Sequence, residues 1–147
     1  MNENKDLLLK YLSMALPYEI KVLNTVEGSN EICELDSILT SQKNKDNVFV
    51  GLTLPDDALM TGIEMVKPYL RPMSSMTEDE EEELRLLKNQ LVDCDENNNE
   101  KFNHIINEIH NLYLSHHIDF MGLIPKGLVI EVTESNNPYK YGLNSTR

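Results

Sequence analysis

The stretch HHID sets His116, His117 and Asp119 side by side. Imidazole nitrogens beside a carboxylate are groups that hold a divalent cation or move protons in hydrolysis, so a metal-dependent hydrolase is one reading of this chain. The spacing weakens it. Adjacent residues on a helix point about 100° apart, and helices that bind zinc present their histidines at i and i+4. A hydrogen-bonded histidine pair closing a helix, where a cation suits the negative end of the dipole, accounts for the same residues. No side chain is assigned a catalytic role, and no metal or cofactor site is assigned.

Two further clusters point to binding. Lys67, Tyr69, Arg71, Ser74 and Ser75 lie in KPYLRPMSS. Two cations, an aromatic face and two hydroxyls ahead of a helix start make a donor-rich patch, which suits a small phosphorylated ligand of nucleotide type. The carboxylates Glu80, Glu81, Glu82 and Glu83 follow, within a run from Glu78 to Glu83. The run lacks the alternating oxygen ligands and mid-loop glycine of a calcium loop. On a helix it forms a solvated face that can also serve as an acidic partner-binding surface. The glycines of MGLIPKGL match neither a dinucleotide fingerprint nor a P-loop and read as turn formers.

These clusters need elements to hold them. Leu8, Tyr11, Leu12 and Ala15 share one face of a helix that Pro17 ends. Alternation predicts strands over 18–27, 32–39 and 48–54, separated by the Gly28-Ser29-Asn30 turn and the polar loop 41–47. Residues 58–69 fit either a short helix or an extended edge. Thr77 and Glu80 match a capping box that starts a helix ending near Asp93. After a connector over 95–99, Phe102, Ile105, Ile106, Ile109, Leu112, Tyr113 and His116 form the stripe of a helix over 102–118. Residues 128–132 read as a closing strand. The expected fold is α+β: a small antiparallel sheet or curled barrel with an N-terminal helix, then a two-helix hairpin and a final strand. It forms a single domain over 1–132, with a β-rich front (1–66), a helical back (77–118) and a mobile polar tail over 133–147.

Composition limits the partners. Across 147 residues, 25 acids against 13 bases give a net charge of −12, and ten of the acids against two of the bases fall between Thr77 and Glu100. Such a surface repels nucleic acid phosphates and attracts basic protein surfaces. Direct nucleic-acid binding is therefore not expected. The short apolar run near the N-terminus is too brief to span a bilayer. Cys33 and Cys94 are expected as free thiols. A cytoplasmic protein without a membrane segment is the expectation.

Three segments, LLLKYL with LPYEIKV over Leu7–Val22, VKPYLRPMSSMTEDEEEEL over Val66–Leu84 and HHIDFMGLIPKGLVIEV over His116–Val132, resemble a family of small proteins of Bacteroidales phages, prophages and mobile elements. The chain departs from that pattern in having Asn111, Leu112 and Tyr113 where tryptophan is frequent, and Met121 where a basic residue is frequent. The resemblance brings no catalytic residue. It implies an accessory role in a host cell, with stoichiometric binding of a host protein, such as one of host defence, as the leading reading. Sequestration of a nucleotide-type ligand is the second, and the hydrolase is the third. An apolar helix hairpin can also pair between two copies of the chain.

Overall fold

The computed structural model describes residues 3–26, 29–41, 47–94 and 97–139. Helix α1 (Glu3–Ala15) leads through a 3-10 turn into β1 (Lys21–Asn24), β2 (Glu31–Thr40), β3 (Val48–Leu54) and β4 (Asp57–Gly62). A second 3-10 turn, Ile63–Met65, precedes β5 (Val66–Leu70). Helices α2 (Glu78–Val92) and α3 (Asn99–Ser115) follow, and β6 (Ile130–Glu131) closes the order. The protein is α+β, as expected, but its six strands form one open sheet in the order β4-β3-β2-β1-β5-β6, and β6 runs parallel to β5. Strands β1 to β5 pair antiparallel as expected, the sheet is open and not a curled barrel, and only the closing strand β6 is parallel. A closing strand that returns after two helices arrives from the far side and aligns with β5 without a hairpin.

Alternation sets the inner face. Val22, Cys33, Leu35, Val50 and Leu52 pack with Leu8, Tyr11, Leu12 and Ala15 of α1 in the main core. A bulge between Leu35 and Ser37 restores the alternation of β2, so that Ile38 again faces inward. Gly51 lies opposite Ser37, and a Cβ there would sit 2.3 Å from the Ser37 hydroxyl, which would have to rotate away, while the Ser37 Cβ at 3.6 Å is at ordinary contact distance. The ambiguous stretch over 58–69 is β4 and β5. Strand β4 is an edge with no buried residue, so it carries no apolar alternation to read. Pro68 is tolerated in β5 because β6 pairs only with Tyr69 and Leu70.

The back of the molecule has its own core, in which Leu84, Leu87 and Leu91 of α2 meet Ile105, Ile109 and Leu112 of α3. Both strands and helices extend or stop within a few residues of expectation. Phe102, expected in the α3 stripe, is exposed.

Of the expected tail over 133–147, residues 133–139 are described. Tyr139 is buried against Tyr69 and Val132. The β1–β5 register runs through Val22↔Pro68, so Lys21 and Tyr69 would be the next pair. Instead the Lys21 amide donates to the Tyr139 hydroxyl (3.1 Å), which donates to the Tyr69 carbonyl (2.8 Å). A side chain thus stands inside a backbone ladder and completes it. Gly28, the loop residues 42–46, Asp95 and Glu96 of the connector, and 140–147 of the expected tail lie outside the described residues.

Tyr139→Phe keeps the ring and removes the relay, leaving a backbone donor and acceptor unmatched. The expected loss is about 1–3 kcal/mol of unfolding free energy in a urea titration.

Candidate functional site

Arg71 is 0% exposed, directly after β5 and between Leu70 and Pro72. A guanidinium stays charged in a protein, so its burial requires an anion and full use of its five donors. Glu80 supplies the anion. Arg71 Nη1 bonds Glu80 Oε2 at 2.9 Å and Nη2 bonds Oε1 at 2.8 Å. The other donors reach the Ser75 hydroxyl from Nε (3.2 Å), the Ser75 carbonyl from Nη2 (2.8 Å) and the His116 carbonyl from Nη1 (3.4 Å).

Glu80 is held from its other side by the capping box. Its own amide donates to the Thr77 hydroxyl, and its Oε1 accepts from the Thr77 amide at 2.9 Å. His116 Nδ1 reaches Oε2 at 2.9 Å. Burial opposes ionisation of Glu80, but the Arg71 bonds, the Thr77 amide, the charge of Arg71 and a smaller electrostatic influence of His116 outweigh it. The carboxyl stays below its ordinary range. One carboxylate therefore starts α2, neutralises Arg71 and orients His116.

Helix α3 ends in a Schellman motif. The Ile118 amide bonds the Tyr113 carbonyl, the His117 amide bonds that of Leu114, and Ile118 packs with Tyr113. The left-handed position, usually glycine, is His117 at φ 58°. That conformation costs a non-glycine residue about 1–2 kcal/mol, and the imidazole offsets it by stacking on Tyr139 at 3.9 Å and donating from Nε2 to the Tyr18 carbonyl at 3.0 Å. Burial, with smaller effects from His116 and Arg71, pushes its pKa down to about 4, so the ring is neutral. Beyond it, the Arg71 amide bonds the His117 carbonyl and the Asp119 amide bonds the Arg71 carbonyl. Asp119 turns its two oxygens to the amides of Leu123 and Ile124, both at 2.8 Å.

The three side chains of HHID therefore diverge, to Glu80, to Tyr18 with Tyr139, and to the 123–124 turn. Among the described residues no group of three or more His, Cys, Asp and Glu is arranged to hold a metal ion. The cationic patch is divided as well. Lys67 and Ser74 are exposed, Tyr69 and Arg71 are buried, and Ser75 is bound to Arg71. The five do not share a surface on which one phosphate could rest. The acidic face loses Glu80 to the interior, while Glu81, Glu82 and Glu83 stay exposed and Glu82 pairs with Arg85. Tyr139 and Tyr18 were not singled out in the sequence. Tyr139 sits among polar residues with no periodicity, and Tyr18 contributes through its carbonyl, so neither left a pattern. Among the described residues no helix is long and apolar enough to cross a membrane. No protein-family model, curated protein or solved structure matches the chain.

Two outcomes test this cluster. Glu80→Gln strands the buried guanidinium and is expected to lose about 3–5 kcal/mol of stability, whereas Arg71→Met/Glu80→Gln is more stable than that single variant; guanidinium chloride titrations distinguish them. The second concerns pH. An unfolded His117 takes up a proton near pH 6.5 and the folded one only near pH 4. Between those values the unfolded state holds the extra proton, so stability present above pH 6.5 falls by about 3 kcal/mol on the way down to pH 4. Glu80, with its depressed pKa, adds its own loss only below pH 4.5. Denaturation of His117→Asn, which keeps a residue tolerant of positive φ, is expected to show a flatter profile from pH 6.5 to 5.

Proposed function

We propose that this chain is a non-enzymatic accessory protein that binds a host protein stoichiometrically through the outer face of α2. The observation that supports this reading is the makeup of that face. Glu78, Asp79, Glu81, Glu82 and Glu83 are exposed, and only Arg85 and Lys88 offset them within the helix. Leu86 lies one turn beyond Glu82 and Glu83 and is itself exposed, while Val92, near the tip of the hairpin, is 83% exposed. An exposed leucine flanked by charged residues has the anatomy of a protein contact. Carboxylates of one sign steer a basic partner toward it. The commitment of His116, His117, Asp119, Arg71 and Glu80 to holding the fold supports the non-enzymatic part. The resemblance to proteins of Bacteroidales phages and mobile elements supports a host protein as the partner, met in the cytoplasm.

Glu81→Lys/Glu82→Lys/Glu83→Lys leaves Glu80 and its arginine intact, so folding is retained. In tagged pull-downs from a Bacteroidales host lysate, the wild-type protein is expected to retain a basic partner that the triple variant and Leu86→Ser lose, with binding weakened as salt rises. A partner held equally by all three proteins counts against the acidic face.

A further inference from the structure

A cavity of about 170 Å³ opens between the start of α1, the Ile63–Met65 turn, β5 and the turn at Gly127 and Leu128. It lies where β6, pairing only with Tyr69 and Leu70, leaves the edge of β5 uncovered. Leu8, Ile63 and Val66 form its floor and belong to the main core, and Leu128 packs against that core from the side. The floor is therefore both apolar and fixed. Lys5 and Lys67 also line it, and Lys67 is exposed on β5. Glu64 completes the charged rim, with its carboxylate 3.7 Å from Lys5 Nζ. No lining residue comes from α2 or α3, so the cavity is separate from the acidic face.

We infer that this cavity binds a small monocarboxylate of about six carbons, with the tail against Leu8, Ile63, Val66 and Leu128 and the carboxylate toward Lys67 and Lys5. Size and charge each narrow the choice. An apolar cavity of ~150 Å³ admits a benzene ring, so this one takes a short acyl or aryl group. It is smaller than the ~300–1,000 Å³ of pockets that hold drug-sized or cofactor ligands, which makes a nucleotide too large. Two ammonium groups beside an apolar floor select an anion, and in a protein of net charge −12 they mark a local exception to a surface that repels anions. Glu64 competes with the ligand for Lys5 and so lowers affinity.

Titration of the ¹⁵N-labelled full chain with hexanoate tests the inference. Saturable shifts at the amides of Leu8, Ile63, Val66 and Leu128 are expected, with a dissociation constant on the order of 1 mM, the range open to a ligand of about eight heavy atoms. Hexylammonium, of the same length and opposite charge, is expected not to saturate them. Lys67→Gln weakens hexanoate about 5-fold and Glu64→Gln tightens it. Both replace rim residues, and an unchanged spectrum elsewhere shows the fold is kept. Absence of saturable shifts, equal binding of hexylammonium, or affinity indifferent to both substitutions overturns the proposal. The acidic-face variant Glu81→Lys/Glu82→Lys/Glu83→Lys binds hexanoate at least as well as the wild type if the two sites are independent, and its loss of hexanoate binding also overturns the separation claimed here.

Discussion

A cation that cannot give up its charge sits where no water reaches it, and much of the structure follows from that constraint. Arg71 needs a carboxylate in register with its fork, and Glu80 reaches it only if α2 begins at Thr77 with the capping box closed. It also needs the remaining donors matched, which fixes the Met73–Ser75 turn and the end of α3 at His116. The pair is surrounded by its own backbone: residues 117 and 119 bond across to both sides of Arg71. Replacing such a pair with apolar groups is often harmless to stability, so its presence argues for specificity in how the back helices meet the sheet. These bonds tie the start of α2 and the end of α3 to the residue that follows β5.

The same constraint decides which surfaces remain for binding. Of the polar residues that look most reactive in the sequence, Arg71, Glu80, His117 and Asp119 are drawn inward and hold segments together, while Lys67 and Ser74 are exposed and His116 is half-buried. What is left outside is chemically plainer: a carboxylate-rich helix with exposed leucine and valine, and a small apolar recess edged by two lysines. Both lie away from the Arg71 cluster in function, since either can change without disturbing the bonds that define the fold.

Elements whose pattern comes from one buried face were legible. Strand β3 has the bounds that alternation indicates, the capping box at Thr77 and Glu80 forms, and Ile105, Ile109, Leu112 and Tyr113 are the buried stripe of α3. Strands β4 and β5 were not, because an edge strand with no buried side has nothing to alternate and Pro68 breaks the appearance of a strand. The candidate site was legible as a location but not in its pairings. KPYLRPMSS and HHID do meet, through Arg71 and Ile118. A single arginine between Leu70 and Pro72, nine residues before the capping-box glutamate, was the available signal for a buried pair. Local spacing could not reveal it, since the partners that make Arg71 structural come from α2 and from the end of α3.

The tyrosine hydroxyl that completes the β1–β5 ladder has a consequence for how the chain is made. Lys21 waits for residue 139, and the Tyr18 carbonyl waits for His117. Contacts separated by that much chain close late, because loop entropy opposes them until their neighbours are in place. During synthesis the first sheet strands emerge well before the residues that seal them. A chain lacking Tyr139 leaves the Lys21 amide and the Tyr69 carbonyl of that ladder unmatched and His117 unstacked, so these sealing contacts form only once that residue is available.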